Sequence, residues 1–175
     1  MKYQGTSNNI SSLFVGFVIV STIFMGTQYA QALVSTDLSK NNNLGNPFLV
    51  EHYQTEPNKP NMTNNNVSAS FSGKGIINGT VDVTADVNFT ETFRDNDTSY
   101  LQGKAKYVTD DKDIASYVFY AIGDYHIDGG YDSNGIAIFD DVATGKLSSL
   151  SNSVGIYKDQ VDTNGTGIFL MWHWR

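Results

Sequence analysis

The chain has 175 residues, with 11 Lys and Arg against 18 Asp and Glu, a formal charge of −7 at neutral pH, and no cysteine. That balance excludes nucleic acid as a partner, since a phosphate backbone needs clustered basic side chains and the basic residues here form no run. The absence of thiols excludes thiolate catalysis, disulfide cross-links and Cys-based metal centres.

The acid is almost wholly Asp, with Glu only at Glu51, Glu56 and Glu91. Asp favours turns and strand ends where Glu favours helices, which points to a β protein. Residues 1–32 read as a signal peptide: Lys2 is the only charge before Asp37, Leu13 to Met25 is apolar, and Ala30-Gln31-Ala32 offers the small side chains a signal peptidase reads. The expectation is cleavage after Ala32 and a secreted or cell-surface protein. The competing reading is a retained membrane anchor, against which the apolar run falls short of the ~20 residues of a spanning helix. Residues 33–66 carry Asn41 to Asn43, Asn64 to Asn66 and all three prolines, Pro47, Pro57 and Pro60. With so little apolar surface to offset ordering, they are expected to form a disordered linker, leaving 67–175 as the folded domain. The patch Pro47 to Val50 is the one part of the linker that could dock on it.

From Val67 the texture changes to strands separated by turn residues. A first strand is expected at Val67 to Gly73. The strongest signal follows at Gly79 to Phe93, where Val81, Val83, Ala85, Val87, Phe89 and Phe93 alternate with Asp82, Thr84, Asp86, Asn88, Thr90 and Thr92, so one face is buried and the other wet. Only Glu91 interrupts the apolar face. Asp95-Asn96-Asp97 turns into Ser99 to Val108, and Asp110 to Asp113 turns into Ile114 to Ile127. This last segment is apolar on both faces as far as Ile122, which predicts a central strand covered on both sides. A helix is the alternative there, opposed by β-branched and aromatic residues and by Gly123. Asp128-Gly129-Gly130, then Asp162-Thr163-Asn164-Gly165, set off strands at Ile136 to Phe139, Val154 to Lys158 and Gly167 to Trp174. Seven or eight short strands make an all-β fold, an antiparallel β-barrel or, alternatively, a β-sandwich. Gly103, Gly123 and Gly155 inside strands favour the barrel.

Phe139 to Tyr157 resembles the stretch of dirigent and allene oxide cyclase-like (calycin-like) barrels in which a strand enters a Thr-Gly turn, a short Leu-bearing loop and a Gly-containing return strand. Thr144-Gly145-Lys146-Leu147 and Val154-Gly155-Ile156 carry the likeness. The resemblance covers about a fifth of the expected domain and implies an eight-stranded antiparallel barrel with an apolar cavity. No residue matches those families' catalytic positions, and none is carried over.

Asn61, Asn66, Asn78, Asn88, Asn96 and Asn164 each open an Asn-X-Ser/Thr triplet and are glycosylation candidates. Asn78 and Asn88 are expected on the polar face of the long strand, Asn96 and Asn164 in turns. Asp128, Asp132, Asn134 and Asp141 approach a calcium loop, but its first ligand position would fall on Gly130, so no metal site and no cofactor is assigned. His126 lies two residues from Asp124 and next to Tyr125, an arrangement that could place an acid/base pair on one strand face. Tyr117, Phe119, Tyr120, Tyr125, Phe169, Trp172 and Trp174 concentrate in two strands and are expected to line a cavity if a barrel encloses one, with Tyr120, Tyr125, His126, Trp172 and Trp174 the candidate ligand-binding residues. Trp172 and Trp174 are expected to point the same way as Ile168 and Leu170.

Three readings follow: a secreted or surface β-barrel binding a small apolar or saccharide ligand; an envelope interaction protein with a filled core; and a small cyclase or isomerase using Tyr125, His126 or Asp124. No residue is assigned as catalytic.

Overall fold

Alternation of apolar and polar residues carries through to the three-dimensional fold. In the computed structural model, which describes residues 44–55, 66–95 and 97–174, the strands are β1 (Leu49–Gln54), β2 (Asn66–Ile77), β3 (Val81–Phe93), β4 (Thr98–Val108), β5 (Ile114–Tyr125), β6 (Tyr131–Phe139), β7 (Val154–Val161) and β8 (Thr166–His173). Each pairs antiparallel with the next, and β8 pairs with β1, from Leu49 opposite Met171 to Gln54 opposite Thr166. The result is a closed eight-stranded barrel, not a sandwich, and no sheet edge is left unpaired. The signal segment expected at 1–32 and the linker residues 33–43 and 56–65 lie outside the described residues.

One boundary needs correction. Residues 49–54, expected as part of a disordered linker, form β1 and close the barrel. The strand escaped notice because Glu51 occupies the middle of its inward row, between Leu49 and Tyr53, where alternation calls for an apolar residue. Pro47 stands just before the strand, where it removes no ladder donor, and Phe48 N donates to Met171 O at 2.9 Å.

A second correction concerns β5. Its inward residues Ala115, Tyr117, Phe119 and Ala121 are buried, but Tyr120 and Ile122 on the other face are 40% and 36% exposed. The strand is covered on one side only, because a barrel has one interior and no second layer packs over β5 and β6 among the described residues. The outer walls differ accordingly. On β2 to β4 they carry Ser70, Lys74, Asp82, Asp86, Lys104 and Lys106, all exposed, and Ser72 Oγ donates to Asp86 at 2.8 Å. That wall faces water and cannot serve as an apolar lipid-facing band.

The interior is divided along its axis. At one end, Leu49, Ile77, Val83, Tyr107, Ala115, Phe139 and Met171 fill the bore, and the β6–β7 connection lays a 3₁₀ helix, Gly145–Leu150, across it with Leu147 and Leu150 buried. This helix lies in the stretch of the Thr144-Gly145 turn and the Leu-bearing loop that follows it. Its Thr144 Oγ1 accepts from Ile114 N at 2.8 Å, and Asp113 accepts from Lys146 N at 3.0 Å, which ties the plug to the start of β5. Among the described residues, no segment crosses the other end.

Candidate ligand cavity

The open half holds a cavity of about 170 Å³ reached from the mouth formed by the β1–β2, β5–β6 and β7–β8 ends. Aromatic side chains line it. Tyr53 stacks on Phe71 with ring centroids 4.4 Å apart, Phe71 meets Phe89 edge-on at 6.3 Å, and Tyr157 leans on Phe169 at 4.7 Å and on Phe119 at 6.2 Å. Nearer the rim, Tyr125 and Tyr131 pack at 4.6 Å.

Inward-facing glycines create the room for these side chains. A Cβ on Gly103 would run into the Phe119 ring, on Gly123 into Tyr131, on Gly135 into Tyr157 and on Gly167 into Tyr53. Each sits directly opposite its ring in the strand register, except that Gly123 lies one rung along from Tyr131, which pairs with Tyr125. Gly73 makes the same concession to the Glu51 carboxyl. Strand glycines here are therefore chosen for the space they vacate inside a narrow bore.

Three carboxyl groups stand among the rings. Glu91, 6% exposed, accepts from Ser99 Oγ at 2.6 Å and from Tyr125 Oη at 2.8 Å. Asp159 accepts from Tyr53 Oη at 2.7 Å. Glu51, only 2% exposed, accepts at Oε2 from Tyr107 Oη over a long 3.4 Å, and Tyr107 in turn shares a 2.9 Å hydrogen bond with Tyr117 Oη. Phe169 stands opposite both Glu51 and Asp159 in the register, so these two acids flank one ring at the same level of the barrel.

Burial and the neighbouring Asp159 raise the Glu51 carboxyl to about 8, with Tyr107 pulling weakly the other way. Burial likewise lifts Asp159 to about 7, partly opposed by the Tyr53 hydrogen bond and helped by Asp132. Burial and the nearby acids hold the Tyr53 and Tyr107 hydroxyls well above their ordinary range, so both remain donors. The cavity wall also includes Asp162 at the rim, and among the described residues it contains no Lys, Arg or His.

Of the aromatic residues singled out from the sequence, Tyr117, Phe119, Tyr125 and Phe169 line this cavity, but of the five candidate ligand-binding residues only Tyr125 does. Tyr120 points outward and is exposed. Trp172 is buried on the outer face, where its Nε1 donates to Gly45 O at 2.9 Å under the segment that precedes β1. Trp174 is 65% exposed beyond β8. The two indoles do not line the bore because the inward row of β8 is the odd one, Gly167, Phe169 and Met171, which the sequence pattern alone leaves undecided in a strand apolar on both faces. His126 lies past the end of β5, exposed, with Nε2 3.4 Å from Asp132, while Asp124 faces outward near Thr98 Oγ1. Tyr125, His126 and Asp124 therefore converge on no common point. The interior acids that do converge, Glu51, Glu91 and Asp159, went unremarked as site residues; the one available signal was a Glu interrupting an otherwise apolar row on β3, and again on β1.

Among the glycosylation candidates, Asn66 opens β2, Asn88 is exposed on the outer face of β3 and Asn164 is exposed in the β7–β8 turn. Asn78 sits in the β2–β3 turn with φ of 51°, not on the long strand. Asn61 and Asn96 lie outside the described residues. Asp128 and Asp141 lie beyond opposite ends of β6, so the partial calcium loop does not close.

Comparison with known proteins finds no matching family model, no matching curated protein and no matching solved structure.

Proposed function

We propose that this protein is an exported or surface-displayed β-barrel that binds a small ring-bearing or apolar molecule inside the open half of its bore. One observation carries the reading: half of the interior is plugged by aliphatic side chains and a 3₁₀ helix, whereas the other half keeps a mouth-accessible cavity walled by aromatic rings. A barrel serving only as a spacer has no need of that asymmetry, and an eight-stranded bore can equally be filled. A cavity of this size is close to one of about 150 Å³ that accepts a benzene ring. A sugar ring is the alternative occupant, since stacked aromatic faces and hydrogen-bonding acids suit both. A distant relation to dirigent and allene oxide cyclase-like barrels belongs to the same proposal, supported by the Thr144–Leu147 turn and the return strand bearing Gly155. Export rests on the sequence of residues 1–32.

The test is a thermal-shift screen of aromatic, lipidic and saccharide compounds against the full chain. A true ligand at a hundred times its Kd should add about 2.7 kcal/mol of stability, and Val87→Phe, which fills the cavity from β3, should remove the shift while preserving the far-UV circular dichroism of the barrel. If no class of compound raises Tm, the binding reading fails and an interaction protein becomes the better account.

A further inference from the structure

The cavity has an unusual charge balance. Glu51, Glu91 and Asp159 line it and Asp162 stands at its rim, yet among the described residues no basic side chain does. Glu91 and Asp159 each have short hydrogen bonds from protein hydroxyls. Glu51 does not. It is 98% buried, its sole hydrogen bond among the described residues is the 3.4 Å one to Oε2, and its Oε1 has no partner while the carboxyl borders the cavity. A buried carboxyl without a counter-charge is costly to ionise, and here Gly73 and Gly75 leave open the space it occupies, so the fold accommodates this group deliberately in the geometric sense. The rings around it, Tyr53, Phe71, Tyr157 and Phe169, present π-faces that attract cations and repel anions.

We infer that the cavity takes a small organic cation, an aromatic or apolar amine in its ammonium form, with the positive group between Glu51 and Asp159 and the ring among Tyr53, Phe71, Tyr157 and Phe169. This rests on the ligand-binding reading above and names the ligand's chemistry. An ammonium would supply Glu51 Oε1 with a donor and balance the charge of one of the two carboxylates. Facing Glu51 are Asp159 from β7, Tyr107 from β4, Tyr117 from β5 and Tyr53 on its own strand; facing Asp159 are Tyr53 and Asp132. No cation competes for the acids from any of these elements. Because burial raises both carboxyls toward neutrality, a cation seated between them favours the ionised form, so its entry expels protons and affinity rises with pH through this range.

Isothermal titration of the full chain with three matched probes decides the matter: 2-phenylethylammonium, the neutral 2-phenylethanol and the anionic 3-phenylpropanoate. At pH 8.5 the ammonium should bind at least tenfold tighter than the alcohol, the preference should shrink at pH 6, and the heat should change with buffer ionisation enthalpy as protons are released. Glu51→Gln should lose the preference while still binding 2-phenylethanol, which also shows that the variant is folded; Asp159→Asn is the second arm if Glu51→Gln does not fold. If the alcohol or the carboxylate binds as tightly as the ammonium, the cation inference is overturned and the cavity reading stands. If none of the three binds and the broader screen is also blank, both fall. Equal ammonium affinity in wild type, Glu51→Gln and Asp159→Asn would remove the acids from the recognition and overturn the inference.

Discussion

The two ends of the bore are built from the same eight strands and differ in what those strands turn inward. At the plugged end the inward rows read Leu49, Ile77, Val83, Ala115, Phe139 and Met171, and the connection between β6 and β7 is long enough to lay Leu147 and Leu150 across the opening. At the open end the same rows continue as Tyr53, Phe71, Phe89, Glu91, Tyr131 and Asp159, and the described β5–β6 and β7–β8 connections are tight turns held by Asp128 and Asp162. Among the connections described in full, the four- and five-residue turns at this end cannot reach across a barrel mouth, whereas the fourteen-residue β6–β7 connection at the other end can; the β1–β2 connection lies mostly outside the described residues. Close packing and cavity are thereby separated along one axis. The plugged end supplies the close-packed core, and the open end is free to hold groups that packing alone disfavours.

That division can be broken most severely from the plugged side. Val83 is 4% exposed opposite Gly75, in the same interior level as Glu51, so Val83→Asp places a second acid where no donor waits and should cost several kcal/mol or abolish folding; Thr84→Asp, on the wet face one residue along, should change stability by less than about 0.5 kcal/mol. Chemical denaturation of the two variants checks the pair, and equal losses would mean the faces are misassigned.

A gentler contrast compares truncations at the two ends. Leu147→Ala removes a fully buried side chain from the plug and should cost about 2 to 4 kcal/mol. Phe71→Ala, from a half-exposed ring at the mouth, should cost less despite deleting more atoms, because its surface is already partly open to water. Comparable losses in urea titrations would argue that the mouth is as close-packed as the plug.

The pH dependence should sharpen the same boundary. The folded chain keeps protons on Glu51 and Asp159 up to about 8 and about 7, whereas the unfolded chain releases them near 4.5 and 3.8. Between those limits the folded state binds more protons, so stability should fall as pH rises from about 4 to about 8 and level off above. Thermal melts across this range should show the decline in wild type and in Leu147→Ala alike, and a shallower one in Glu51→Gln.

The smallest effect concerns the indoles. Trp172 is sealed against the outer wall and Trp174 is largely exposed, so iodide should quench Trp174 fluorescence and spare Trp172. Trp174→Ala should shift stability by less than about 0.5 kcal/mol. Occupancy of the cavity should leave the Trp172 emission where it is, since no ring of the cavity wall is an indole.

Much of this architecture is local and therefore readable in the chain. Strict alternation over Val81 to Phe93 decides its buried face without reference to any partner, because a one-residue slip would turn six apolar side chains into water. Side-chain oxygens of Thr109, Asp128 and Asp162 accept from backbone N–H groups and hold the turns at Asp110 to Asp113, Asp128 to Gly130 and Asp162 to Gly165, so strand number and antiparallel sense follow from sequence, and with them the barrel class. What depended on contacts between distant residues did not follow. β1 is a strand only because β2 and β8 pair with it, and its own six residues, with Glu51 at the centre, carry no apolar alternation. In β5 and β8, apolar on both faces, the choice of inward row is made by register with the neighbouring strands, which put Trp172 outside and Phe169 inside. The cavity acids come from β1, β3 and β7 and meet only when the sheet closes on itself, since hydrogen-bonded register across the barrel, and no spacing along the chain, brings Glu51 and Asp159 to either side of Phe169.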